Sequence, residues 1–155
     1  MAFVPDIPDL DNTIGSDIPD IKSSLAANNA ATTQTLQKKV GIITRAMADA
    51  SGDVAEAGVG FVPDLVLFFH VYGGGIYSSV GLGGHDGTDD ISAQLWDFGG
   101  NGTGFLGYAS TDKCIMIWAD DIATYQKADI KTLDADGFTL TWTKTGLPTG
   151  TAYIF

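Results

Sequence analysis

The chain has 155 residues, 45% of them apolar, and sets eight Lys and Arg against nineteen Asp and Glu for a net charge of −11. That length carries one ordinary globular core with an appendage. The charge excludes a nucleic-acid groove, because counterion release needs clustered cations and no Lys or Arg lies between Arg45 and Lys113.

Residues 1–16 read as an extended arm. Prolines at positions 5 and 8, and again at 19, forbid helix and withhold backbone donors, while Phe3, Ile7, Leu10 and Ile14 keep a regular apolar spacing that a solvating tail lacks. Those four side chains are the expected anchor on another protein. The opening Met1-Ala2-Phe3-Val4-Pro5-Asp6 has neither the basic nor the apolar region of a secretory signal, and no stretch is long enough to span a bilayer. The expectation is a protein made and folded in a cytosol, without membrane insertion, that reaches the outside only by release of an assembly.

Residues 17–38 predict a short helix, from Pro19 in its first turn, caps at Ser16 or Asp17, and Lys38-Lys39 at its end. Ile18, Ile21, Leu25, Asn28, Thr32 and Thr35 recur at spacings of three and four, a brief heptad seam with polar layers. Either Ile18, Ile21 and Leu25 line the axis of a parallel trimer or the segment is a lone linker helix.

Residues 39–155 predict an antiparallel β-sandwich. The candidate strands are Val40–Ala46, Val54–Phe61, Leu65–Tyr72, Ile76–Leu82, Ile91–Phe98, Cys114–Ala119, Ile122–Thr132, Phe138–Thr143 and Thr151–Phe155, with Gly, Asn and Asp in nearly every gap. Leu65–Tyr72 is the most continuous apolar run and reads as a central strand covered on both faces, with Leu65, Leu67 and Phe69 on one side and Val66, Phe68 and His70 on the other. Phe138, Leu140 and Trp142 alternate with threonines and should face the core. The fold class is thus mainly β, a sandwich preceded by an extended arm and a short helix.

The chemistry-bearing residues are sparse. Cys114 lies in an apolar run and reads as a buried thiol, and His70 as a core or interface side chain. No nucleophile elbow surrounds a serine, and the adjacent acids Asp89-Asp90 and Asp120-Asp121 point to opposite sides rather than facing each other as glycosidase carboxylates do. Asp134-Ala135-Asp136-Gly137 copies the opening of a calcium loop, but its twelfth position is Thr145, so a tight turn is expected. His85-Asp86-Gly87-Thr88-Asp89-Asp90 gathers oxygen ligands without a recognised spacing; surface acids of this kind are usually solvated, and the loop leaves the question of a metal open. The expectation is a non-enzymatic chain with no cofactor and no assigned metal ligand. Tyr77, Tyr108 and Tyr125, joined by Trp96, are candidate platforms for stacking a sugar.

Several phrases in order resemble a β-sandwich module of bacteriophage fibres and surface appendages, itself similar to the trimeric sandwich of H-type lectins. They are Lys39-Val40-Gly41-Ile42-Ile43-Thr44, Gly60 to Phe69, Ser79-Val80-Gly81-Leu82-Gly83, Ser110 to Ile115, and Asp134 to Trp142. The resemblance covers residues 39–155 and implies a homotrimer on the virion surface, its N-terminal end attached to a capsid, portal or tail protein. Because the sequence stops at Tyr153-Ile154-Phe155, a short spike, head fibre or capsid decoration is expected rather than a long tail fibre. The alternative that the same resemblance carries is a carbohydrate-binding protein for host recognition. Head or tail mounting, the anchoring partner and the receptor are not legible in these residues.

Overall fold

The computed structural model describes residues 23, 36–74, 77–97, 104–119 and 123–155. The chain divides into two units, Met1–Lys38 and Lys39–Phe155. In the first, the expected anchor and seam residues, Phe3, Ile7, Leu10, Ile14, Ile18, Ile21 and Leu25, lie outside the described residues, as does most of the expected helix. Ser23 is helical, whereas residues 36–38, expected to close that helix, have no regular structure.

The second unit is an antiparallel sandwich of ten strands: β1 (Ile43–Ala46), β2 (Gly52–Ala57), β3 (Val66–Gly74), β4 (Tyr77–His85), β5 (Asp90–Asp97), β6 (Phe105–Ser110), β7 (Ile115–Trp118), β8 (Tyr125–Asp134), β9 (Gly137–Thr145) and β10 (Thr151–Ile154). They form a six-stranded sheet in the order β1-β10-β3-β4-β5-β6 and a four-stranded sheet in the order β2-β9-β8-β7. The main core lies between them, built from Phe68, Tyr72, Ile115, Ile117, Leu140, Trp142 and Ile154 with their neighbours. Phe68 and Phe138 meet edge to face across it, centroids 5.7 Å apart. As its alternation predicts, β9 turns Phe138, Leu140 and Trp142 inward.

Local chemistry explains several boundaries. β2 stops at Ala57, short of the expected Phe61, because Gly58 and Gly60 adopt φ of +87° and donate their N–H groups to the Asp136 carboxylate at 3.0 and 2.6 Å. Asp136 itself sits in the two-residue turn between β8 and β9, where Asp134 pairs with Gly137. That is the tight turn expected for this motif. A Cβ on Gly137 would collide with the Glu56 carbonyl. β6 was not expected at all: its Phe105, Leu106 and Tyr108 are interrupted by Gly107 and preceded by a glycine-rich stretch that reads as loop.

The expected double cover on β3 is corrected. Its two faces divide as predicted, but among the described residues only one is covered: Phe68 is 3% exposed and its neighbour Leu67 is 70% exposed. The strand buried on both sides is β7, although it is the last in its sheet. Ile115 and Ile117 enter the main core, while Met116 and Trp118 on the opposite side are packed by Trp96 of β5. The wider sheet reaches past the edge of the narrower one and closes over it. The close approach of the sheets requires Gly83 on β4, since a Cβ there would strike the Cys114 carbonyl directly.

Candidate functional site

The two outer faces of the sandwich differ in kind. On the four-stranded sheet the outward positions of β2, β8 and β9 carry Asp53, Lys127, Asp129, Thr139, Thr141 and Thr143, and two cations there are ion-paired: Lys131 with Asp53, and Lys113 with Asp129 at 3.0 Å. Thr141 Oγ1 also donates to Asp53 Oδ1 at 2.7 Å. Hydrogen bonds from Lys131 and Thr141 hold the Asp53 carboxyl below its ordinary range. This is a solvated face.

The outer face of the six-stranded sheet carries the reverse pattern. Register places Tyr153, Val71, Val80, Leu95 and Gly107 in one row across β10, β3, β4, β5 and β6. The next row runs Phe69, Leu82, Ala93 and Ala109, with Phe155 beside Phe69 through reciprocal backbone bonds of 2.9 and 2.8 Å. A third holds Leu67, Gly84 and Ile91. No side chain in these rows is charged. Asp97 joins the face only at its end, in register with Ser78 and Phe105, and is itself buried. Leu82 is 63% exposed and Leu95 55%, so the face is a continuous apolar surface rather than a scatter of isolated side chains.

A second feature is an aromatic cluster where the wide sheet wraps β7. Trp96 stacks on Trp118 with centroids 6.3 Å apart, and Tyr108 and Tyr125 meet the same indole at 4.9 and 5.3 Å. Lys127 Nζ lies 5.9 Å from the Tyr125 ring centre. Two of the tyrosines expected as glycan platforms, Tyr108 and Tyr125, therefore come together with Trp96, and the described ring contacts of this cluster do not include Tyr77. Trp118 was not singled out from sequence, because it sits in an apolar run that reads as core. Tyr108 is half exposed, which leaves one accessible ring at the rim.

The acidic loop before β5 spends its oxygens internally. Asp86 Oδ1 accepts from the Asp89 and Thr88 amides at 2.9 and 3.0 Å, which holds that carboxyl below its ordinary range. Asp90 Oδ1 meets His85 Nδ1 at 3.0 Å, and Oδ2 accepts from the Ile130 amide on the other sheet at 3.1 Å. Burial raises the Asp90 pKa despite these bonds. Among the described residues no group of three His, Cys, Asp or Glu side chains is placed to hold a metal ion. Cys114 is buried, its Sγ 3.3 Å from the Ala128 carbonyl, and burial followed by the Asp90 charge pushes its thiol pKa far up.

His70 faces inward opposite Gly81, which in turn faces Gln94 on β5. A Cβ on Gly81 would overlap the imidazole, so the glycine makes room for the ring. Burial pushes the His70 pKa down to about 4, with Gln94 working in the other direction. Among the described residues, the buried polar atoms of His70, Ser79, Ser92 and Gln94 make no hydrogen bond of good geometry, the His70–Gln94 approach included.

Comparison with protein-family models, with curated proteins and with solved structures found no match.

Proposed function

We propose that the chain is a structural subunit of a bacteriophage virion: a homotrimeric head fibre, spike or capsid decoration protein, attached through its N-terminal arm. In this reading Phe3, Ile7, Leu10 and Ile14 grip another virion protein, and Ile18, Ile21 and Leu25 line the trimer seam. The observation that carries the reading is the asymmetry of the sandwich, one outer face ion-paired and the other apolar and free of charge across three rows. A subunit built for assembly needs such a surface, and an isolated soluble domain does not. The ordered phrases that resemble phage appendages supply the kind of assembly. The test is mass spectrometry and immunogold labelling of purified particles, with the chain expected at a fixed copy number on their surface. Deletion of residues 1–16 should leave a folded, oligomeric protein that no longer incorporates. Absence of the full chain from purified virions would end the proposal.

The second reading is a carbohydrate-binding protein for host recognition, and the half-exposed Tyr108 at the rim of the Trp96–Trp118–Tyr125 cluster is the observation that favours it. Aromatic rims stack against sugar rings. Saturable binding on a glycan array that Tyr108→Ala weakens about tenfold or more would support this reading; an array with no saturable signal sinks it.

A further inference from the structure

We propose that the outer face of the six-stranded sheet is the surface through which copies of this chain join. The inference rests on the assembly reading above and assigns the surface that would build it.

Register makes the relief. Large side chains stand beside small ones across the face: Phe69 beside Leu82, then Ala93 and Ala109, and Val71 beside Val80 and Leu95, then Gly107. An uneven, pleated face of this kind can seat a second copy of itself, because packed sheets interdigitate their side chains at about 10 Å.

Charge permits the same occupant on this face. With a net charge of −11, two copies approaching through most other directions bring like charges together. The rows of this face bring none. A partner selected by basic groups finds nothing here to hold it, since recognition on an uncharged surface is by shape and apolar area alone.

The area suffices. Taking about 150–250 Å² for a large side chain, the exposed fractions on this face amount to roughly 1,000 Å², above the roughly 300–600 Å² patches of ordinary monomers. A standard interface buries about 800 Å² per partner. A standard contact on each copy therefore fits within the face.

The experiment uses the purified full chain, with molar mass followed by sedimentation and light scattering across a dilution series. The wild type is expected at three times the chain mass of 16.2 kDa. Leu82→Glu and Leu95→Glu should each weaken association by about a hundredfold or more, because a carboxylate buried against an apolar partner has no counter-charge. Thr143→Glu, on the solvated face, should change nothing. Should Leu82→Glu fail to fold by circular dichroism, Leu82→Ser carries the same test without a charge. A wild-type chain that stays at one chain mass overturns the proposal, whether the face is covered by residues 1–35 or by a different protein. So does an oligomer that keeps its mass in both glutamate variants, which would place the contact in the Ile18–Leu25 seam alone. A dimer lost in those variants supports the surface and overturns the trimer. Self-association by a chain absent from virions would support this surface while sinking the virion reading.

Discussion

Arg45 Nε donates to Gln126 Oε1 at 2.8 Å, and both side chains are buried where β1 meets the opposite sheet. The guanidinium also donates to the Ala50 carbonyl at 2.7 Å and lies 4.7 Å from the centre of the Trp142 ring. Gln126 Nε2 reaches the carbonyls of Met47 and Asp49 at 2.7 and 3.2 Å. Burial lowers the pKa of Arg45, and Asp49 at 3.5 Å opposes that shift. One amide thus ties the β1–β2 connection to the far layer and accepts from a cation that has little water.

Gln126→Ala should therefore cost about 3 kcal/mol in urea unfolding, since it removes one acceptor from a buried guanidinium and the donor from the carbonyls of Met47 and Asp49 together. A cost under about 1 kcal/mol would mean that Arg45 finds solvent by a small rearrangement.

The two faces of β3 give opposite expectations for neighbouring residues. Phe68→Ala should cost about 3–5 kcal/mol, as it empties a site against Phe138. Leu67→Ala should cost under about 1 kcal/mol in the dissociated chain. Equal losses at the two positions, measured at concentrations where the protein is dissociated, would contradict the one-sided cover.

His70 makes stability depend on pH in a defined window. Its folded pKa is near 4 against an ordinary 6.5, so as pH falls the unfolded chain takes up the proton first. The contribution is complete above pH 6.5 and is lost as pH drops from there to 4, by about 3 kcal/mol at most. His70→Leu should flatten this part of the profile and, by removing buried polar atoms that make no hydrogen bond of good geometry, hold or raise stability at pH 7. A variant with the wild-type slope between pH 4 and 6.5 would assign the dependence to other groups.

Gly83→Ala should be among the most damaging single methyl additions in the sandwich. The added carbon meets the backbone of Cys114, which cannot rotate away, so the sheets must part. The expected loss is at least about 3 kcal/mol, read as a lowered denaturation midpoint. Near-wild-type stability would show that β7 can shift without cost.

The legible part of the fold was the part where burial and sequence period agree. In β9, threonine occupies every outward position from Thr139 to Thr143, so alternation alone assigns Phe138, Leu140 and Trp142 to the core. In β3 both Phe68 and Phe69 are apolar, and a continuous apolar run says only that each face avoids water, not which layer covers it. The same ambiguity hid the candidate interface, because Leu67, Leu82 and Leu95 resemble core residues until cross-strand register aligns them. Trp118 and Tyr108 lie on consecutive strands of different sheets and meet only because one sheet overreaches the other. No local pattern encodes that overhang. β6 was missed for another reason: Gly107 breaks its composition, and its role is to cap an edge rather than to fill a core.

The placement of β10 bears on how the sandwich can be synthesised. Thr151–Ile154 lies between β1 and β3, pairing Ile154 with Ile43 on one side and with His70 on the other. A nascent chain that has not yet released this strand from the ribosome has β1 with nothing to hydrogen-bond and β3 with an open edge, however much of the rest has emerged. Pairings between such distant segments form late and slowly. Until Thr151–Ile154 arrives, the growing polypeptide carries a bare strand edge alongside the apolar face, the combination most prone to cross-pairing between neighbours on a polysome.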